Sequence, residues 1–207
     1  MKNVIIALSI FVAIALEAVV ASPKPNDSKN GLWLNYSGAK GPGKGRHIVL
    51  IAADQEYRSE QSMPMLAKIL SKHHGFDCTV LFSVNEKGEV DPTMPAPFKD
   101  KTKRHNIPGL RLLAKADCVI WLSRFMHLPE EQMQHFYDYF DSEKPLIALR
   151  TANHGFWGGL QYKKGGKNVS LREMLGGTFM GHYGGWHREA TRGVVVSDNK
   201  KHPILVG

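Results

Sequence analysis

The chain has 207 residues, 43% of them hydrophobic and 22% charged, with a formal net charge of +8 at pH 7. These values are ordinary for a globular protein with one domain and a proper core. The basic residues are scattered or lie in loops, and no aromatic residues alternate with them as base stacking would require. We therefore interpret the charge as a solvated basic surface and expect no nucleic-acid partner.

The first 21 residues differ from the rest of the chain. A basic start at Lys2 is followed by an apolar run over 4–16, and small residues precede a polar break at Ser22. This pattern predicts a secretory signal peptide over 1–21. The alternative, an uncleaved membrane anchor, is disfavoured because Glu17 interrupts the apolar run before the ~20 residues that a span needs. We expect an exported protein, periplasmic or extracellular, that is free of the membrane after cleavage.

The next residues predict the start of an α/β domain. Residues 22–45 are rich in Pro, Gly, Lys and Asn, and we interpret them as a lead-in. The apolar run over 46–53 predicts a first buried strand. The helix that follows is capped by Ser59-Glu-Gln-Ser62 and ends at Gly75. A second strand is predicted over 76–82.

The second half of the sheet follows a long loop rich in proline. We predict a short helix over 108–115, a third strand over 117–122 and a helix that opens at Pro129. The unbroken apolar run over 145–149 is typical of a strand buried on both faces of a parallel sheet. The downstream predictions are a helix over 171–175 and further strands over 178–183 and 192–197. The alternation predicts an α/β fold, a flavodoxin-like three-layer sandwich with a mostly parallel sheet.

The two cysteines, Cys78 and Cys118, both lie within predicted strands. An oxidising compartment permits a disulfide, but two separate core strands rarely present cysteines in bonding geometry. Neither cysteine sits at a strand-to-helix turn, where a nucleophile would be activated. We therefore expect two buried free thiols.

Polar side chains follow three of the predicted parallel strands. Ligands of open α/β sheets bind in the crevice beyond the carboxyl ends of the strands. The residues expected there are Asp54, Glu56 and Arg58 after the first strand, Arg124 after the third, and Arg150, Thr151, Asn153 and His154 after the fourth. A glycine-rich segment further along can bring in His182, His187 and Arg192. Such a set suits a small polar ligand with hydroxyls or a carbonyl.

The residues of this crevice are compatible to different degrees with three kinds of chemistry. Nucleophilic acyl transfer needs Cys or Ser after the fourth strand, where Arg150 and Thr151 stand, so it is disfavoured. A divalent metal could use His154, the later histidines and a carboxylate, but no tight metal motif is present, and we predict no metal or other cofactor. Acid–base chemistry on a sugar or keto-sugar is favoured.

In the favoured chemistry, Glu56 works with His154 or His182 as the catalytic set, while Arg124 and Arg150 hold oxygens. The alternative for each residue is structural. The later histidines then only order the glycine-rich loop, and Arg150 only pairs with Asp54 or Glu56 below the sheet edge.

Several stretches resemble ThuA-like (trehalose-utilisation) domains. They are GPGKGRHIVLIAADQEYRSE at 41–60, LAKILSKHHGF at 66–76, SRFMHLP at 123–129, LRTANH at 149–154 and ATRG at 190–193. The resemblance covers most of 41–207. It implies a fold similar to class I glutamine amidotransferases and a link to the breakdown of trehalose or other sugars.

Two departures from the family pattern bear on the expectations. Related sequences often carry Gly where Ala53 stands and a denser histidine run around 182–187, which argues against a histidine-based metal site. The family also usually continues beyond residue 207, so we expect the domain at 46–207 to be C-terminally incomplete. We predict a protein without amidotransferase activity that acts on a small-molecule carbohydrate. The alternative is a non-catalytic carbohydrate-binding or interaction module.

Overall fold

The computed structural model of the protein describes residues 26–27, 32–182, 184–185, 188–190 and 192–205. The predicted signal peptide lies outside these residues. Within them, no helix is both long and apolar enough to cross a membrane.

A main sheet of six strands and a separate two-stranded hairpin form the β structure. The strands are β1 (Asn26–Asp27), β2 (Trp33–Tyr36), β3 (His47–Ala53), β4 (Asp77–Phe82), β5 (Cys118–Ser123), β6 (Leu146–Ala148), β7 (Tyr162–Lys164) and β8 (Lys167–Val169). The order in the main sheet is β1-β2-β4-β3-β5-β6. Strands β4, β3, β5 and β6 run parallel to one another, and β2 runs antiparallel to β4.

Helices connect the parallel strands. They are α1 (Ser59–His74), α2 (Glu130–Asp141) and α3 (Leu171–Leu175), with 3-10 turns at Leu110–Lys115, Ala152–His154, Ser197–Asn199 and Pro203–Leu205. The predicted α/β class and mostly parallel sheet are confirmed.

Alternate residues of β3 face two separate cores, because successive side chains of a strand point to opposite faces. Val49 and Ile51 pack in a core that includes α2 residues such as Phe136. Ile48 and Leu50 pack in a second core with Met63 and other residues of α1. Helices therefore cover both faces of the sheet, an arrangement compatible with a three-layer sandwich.

Part of the predicted lead-in belongs to this sheet. Strand β2 pairs with β4, with Trp33 opposite Leu81 and Tyr36 opposite Cys78. The Tyr36 side chain is buried. The sheet therefore begins earlier than residue 46, the position at which the amino-acid composition changes.

The prediction that the strand at 145–149 is buried on both faces is wrong. Strand β6 spans three residues, pairs with β5 and forms an edge of the sheet. Ile147 is 49% exposed. No strand of the described chain lies beyond this edge. The run at 145–149 has the apolar pattern of an interior strand but remains partly exposed to solvent.

The predicted cap of α1 is also corrected. Arg58 occupies the cap position with a positive φ of 53°, and no side chain caps the helix there. The Ser59 hydroxyl instead accepts a hydrogen bond from the Asp54 backbone N–H at 2.8 Å. This contact closes the turn between β3 and α1. The predicted helix end is confirmed, since Gly75 takes the left-handed conformation there.

The predictions for the C-terminal part of the chain are confirmed for the helix and wrong for the strands. The helix predicted at 171–175 is confirmed, but no strand forms over the described parts of 178–183 and 192–197. Strand-forming residues there find no partner strand, and Val194 is 77% exposed. The chain instead forms the hairpin β7-β8 around Gly165 and Gly166, both with positive φ. A two-residue Gly-Gly turn is a known hairpin signal, so this hairpin could have been predicted from the sequence.

The two cysteines are free, as predicted. Cys78 and Cys118 both align with Ile48, from opposite sides of β3. A whole strand therefore separates them, about 9–10 Å at ordinary strand spacing, which is too far for a disulfide. Cys78 is buried and Cys118 is partly exposed, and burial raises the pKa of the Cys78 thiol to about 12.

A buried histidine fastens the long loop between β4 and the 3-10 turn at 110–115. The His105 side chain accepts a hydrogen bond from the His127 backbone N–H at Nδ1 and lies 3.0 Å from the Pro95 carbonyl at Nε2. It also stacks on Phe98, with ring centroids 4.2 Å apart. The neutral ring with its proton on Nε2 satisfies both contacts, and burial lowers the pKa of His105.

We expect the free energy of unfolding to fall as the pH drops from about 8 to about 5. Over that range the unfolded chain takes up a proton on His105 that the folded chain resists, so stability is fullest above the ordinary histidine pKa. Urea titrations of the wild type and His105→Gln at several pH values test this, because the variant lacks the titrating ring. His127 and His154, whose pKa values burial also lowers, add to the same dependence.

The surface variant His73→Gln, at the exposed end of α1, serves as a control for the loss of a histidine that does not touch the loop. An equal decline of stability with pH in His105→Gln and the wild type contradicts the assignment.

Candidate functional site

A cavity of about 290 Å³ lies at the carboxyl ends of β3, β5 and β6. This is near the lower end of the range of about 300–1,000 Å³ that small-molecule sites occupy, so it suits a small ligand. Seven of the residues expected in the crevice lie on its wall: Glu56, Arg124, Arg150, Thr151, Asn153, His154 and His182.

The other expected residues lie elsewhere. Asp54 is completely buried and sits beneath the cavity. Arg58 and Arg192 are both exposed and are not part of the cavity wall. His187 lies outside the described residues.

Asp54 joins the loops that follow three strands. Its carboxylate accepts a hydrogen bond from the Tyr57 backbone N–H at 3.3 Å, and the Thr151 hydroxyl lies against its other oxygen. The Arg124 Nε lies 3.6 Å from Asp54 Oδ1 as an ion pair. The same Thr151 hydroxyl is 2.9 Å from the Ser123 carbonyl. A buried acid of this kind fixes the floor of the cavity.

Arg124 is shared between two carboxylates. In addition to Asp54, it contacts Glu56, with 2.5 Å between Arg124 Nη2 and Glu56 Oε2. The Arg124 side chain is 20% exposed and the Glu56 side chain 27% exposed, so this pair is partly screened from water. One alternative for Arg150 was a structural pairing with Asp54 or Glu56. In the structure Arg124 makes that pairing instead.

Arg150 lies over the ring of Tyr57. Its guanidinium carbon is 4.7 Å from the ring centroid, within the range of a cation–π contact. Its Nη2 also donates a hydrogen bond to the Tyr57 hydroxyl at 3.2 Å. These contacts fix the guanidinium at the mouth of the cavity.

His154 is enclosed by aromatic rings on the cavity wall. Its ring centroid is 4.8 Å from Phe125 and 4.6 Å from Phe179, and Phe179 in turn contacts His182 at 5.3 Å. The Asn153 Oδ1, which can only accept, lies 2.8 Å from His154 Nδ1. The Nδ1 atom therefore carries the proton, and Nε2 of the neutral ring keeps a lone pair.

The surroundings favour the neutral form of His154. Burial lowers its pKa, and the guanidinium of Arg124 lowers it further. Asp54 acts in the opposite direction, and Arg150 and His182 add to the lowering. At neutral pH the ring is therefore a base ready to accept a proton.

Strained backbone flanks the cavity. Arg58, Phe125 and Glu143 are the residues other than glycine with positive φ in the described part of the chain. Arg58 follows β3 and has φ 53°, and Phe125 follows β5 and has φ 48°. Such conformations cost energy and cluster at functional sites, which supports a functional role for these two loops.

The described residues place neither a Cys or Ser side chain nor a metal cluster in the cavity. Its wall, as far as the chain is described, contains no Cys or Ser, and the Thr151 hydroxyl there is occupied by its hydrogen bonds. Cys78 and Cys118 lie near the amino ends of β4 and β5, at the opposite edge of the sheet. No three His, Cys, Asp or Glu side chains of the described chain converge as metal ligands.

Three wall residues were missed from the sequence: Tyr57, Phe125 and Phe179. The first two are chain neighbours of residues that were identified, so their positions after the strands were a usable signal. Phe179 gave no such signal, because it belongs to a segment predicted as a strand and reaches the cavity only through the path of the folded chain.

We expect Thr151→Val to lower the free energy of unfolding by about 1–3 kcal/mol, because it leaves the buried Asp54 carboxylate without a hydroxyl partner. Thr151→Ser is the matched control, since it keeps the hydroxyl and loses about 0.8 kcal/mol for one methyl group. Urea unfolding of both variants measures the difference. Equal losses of stability in the two variants would contradict the hydrogen bond from the Thr151 hydroxyl to the Asp54 carboxylate as the source of the effect.

No protein-family model, no curated protein sequence and no solved structure matches this chain. The membership that its motifs suggest stays a prediction. The case for a function therefore depends on the geometry of the cavity.

Proposed function

We propose that the protein is an enzyme that carries out acid–base chemistry on a sugar or keto-sugar. In this proposal it is an exported ThuA-like domain protein, with a flavodoxin-like fold similar to class I glutamine amidotransferases and without their activity. The α/β class, the parallel strands β3 to β6 and the absence of a cysteine from the described cavity wall support this assignment.

One observation carries the proposal. The neutral imidazole of His154, with its lone pair on Nε2, shares the wall of a small cavity with the carboxylate of Glu56. A general base needs a pKa near or below the working pH so that it is unprotonated when substrate arrives. Burial and the neighbouring guanidinium groups provide that condition.

The residues divide the work as follows. His154 removes a proton from the carbon beside the substrate carbonyl, and the electron pair moves onto the carbonyl oxygen. Arg150 and the Asn153 amide stabilise the negative charge that develops there. The protonated His154 then returns the proton to the substrate. Glu56, held by Arg124, accepts a hydrogen bond from a substrate hydroxyl, and His182 is the second histidine able to carry a proton.

A non-catalytic carbohydrate-binding module is the second candidate. Exposed aromatic rings favour it, since Phe179 is 38% exposed and the neighbouring Trp157 is 40% exposed. Such rings offer flat apolar surfaces to the C–H faces of a sugar. A module of this kind binds sugars and catalyses no proton exchange.

We expect the protein to catalyse exchange of the protons beside the carbonyl of a ketose for solvent deuterium, and His154→Gln to slow this about 100-fold or more, because the base that removes the proton is lost. Sugar binding should be largely kept, because glutamine is close to histidine in size and stays polar. NMR in deuterated water, on a panel of ketoses and aldoses, measures the exchange, and a thermal-shift panel measures binding.

The matched control is His73→Gln, because His73 lies at the exposed end of α1, away from the cavity. It should exchange at the wild-type rate. Sugar binding without exchange by the wild type identifies a binding module. Exchange that survives in His154→Gln removes His154 from the mechanism.

The exchange rate should decline in acid only below the ordinary pKa of histidine, about 6.5, because the pKa of His154 is lowered by burial first and by Arg124 second. Arg124→Gln removes a positive charge and should move this decline to higher pH, whereas Arg124→Lys should keep it near the wild-type position. A pH profile of the exchange rate that is the same for all three proteins contradicts the role of His154.

A further inference from the structure

The two arginines of the cavity differ in what neutralises them. Arg124 has carboxylate oxygens of Glu56 and Asp54 at 2.5 and 3.6 Å. Arg150 forms no ion pair with any acidic side chain in the described part of the chain, and its contacts are to the neutral Tyr57. One cation of the site is therefore balanced inside the protein, and the other faces solvent.

The buried Asp54 does not balance Arg150 at the cavity surface. Its carboxylate is fully buried and turned toward Thr151, the Tyr57 backbone and Arg124. A ligand in the cavity meets the Glu56–Arg124 pair, which is neutral as a unit, and the free charge of Arg150. The wall that a ligand contacts therefore carries a net positive charge.

The contacts that hold Arg150 in place leave part of its guanidinium free to bind a ligand. The stack on Tyr57 and the hydrogen bond to its hydroxyl use one face of the guanidinium and one of its nitrogens. Arg150 and Asn153 form a wall common to this cavity and a neighbouring one of about 410 Å³. A planar guanidinium fixed in this way matches the two oxygens of a carboxylate.

We infer that the substrate is a sugar acid whose carboxylate binds Arg150. This rests on the proposed function, since it names the class of sugar that the same cavity takes. In such a substrate the guanidinium of Arg150 holds the carboxylate, and the Asn153 amide is the group left to stabilise the charge on the carbonyl oxygen. One unbalanced cation matches a monoanion, whereas the dianion of a sugar phosphate would also meet the carboxylate of Glu56. The net charge of +8 attracts either anion to the protein, so the selection between them occurs at Arg150.

Isothermal titration calorimetry on the purified protein tests this with pairs that differ in charge. The pairs are glucuronate with glucose and ketogluconate with fructose, and fructose phosphate serves as the second kind of anion. The carboxylate member of a pair should bind at least about tenfold more tightly, the strength of one charge-assisted contact. This preference should shrink with added salt.

Arg150→Gln should abolish the preference, and Arg150→Lys should retain part of it, because lysine keeps the charge without the planar pair of donors. Arg111→Gln is the matched control, since Arg111 also stacks over an aromatic ring, that of Trp33 at 5.2 Å, away from the cavity. It should bind like the wild type.

The outcomes separate this inference from the proposed function. Equal binding of acidic and neutral sugars overturns the binding of a carboxylate by Arg150 and leaves the acid–base proposal, in which Arg150 stabilises the charge on the carbonyl oxygen, intact. Tighter binding of fructose phosphate than of ketogluconate overturns the choice of a carboxylate. A preference that survives in Arg150→Gln overturns the residue assignment. Failure of every sugar to bind overturns the proposed function and this inference with it.

Discussion

The site depends on one buried carboxylate. Asp54 is inaccessible to solvent, and it holds the loops after β3, β5 and β6 through Tyr57, Arg124 and Thr151. A buried charge is tolerable only when it is paired and hydrogen-bonded, so the three loops must keep this geometry for the chain to stay folded. The positions of the groups above Asp54 follow from that requirement, including the orientation of Arg124 toward Glu56.

The division of charge above this floor gives the cavity its chemical character. Because Arg124 is shared by two carboxylates, it orders the site and leaves little charge for a ligand. Arg150 keeps its charge at the cavity mouth, supported by Tyr57. His154, enclosed by Phe125 and Phe179, stays neutral and basic. A fixed cation beside a neutral base is an arrangement suited to removing a proton and stabilising the charge that forms.

Much of this arrangement was predictable from local patterns. Apolar runs located β3, β4 and β5 within a residue or two, and the loops after β3, β5 and β6 contained six of the seven expected residues that line the cavity. The reason is that parallel strands bring their carboxyl ends to one edge, so that neighbours at the edge can be inferred without coordinates. The same reasoning could not tell that Asp54 lies below the cavity and Glu56 on its wall, since both follow the same strand.

The sequence by itself determined the α/β class, the free thiols and the edge of the sheet where the site forms, because these follow from periodicity and from the ends of strands. Tertiary structure decided the rest. Which arginine pairs with Glu56, whether the run at 145–149 is interior or edge, and how Phe179 reaches His154 depend on contacts between distant segments. Such contacts carry no local signal, since the same side chain can be a floor, a wall or a surface group according to what packs against it.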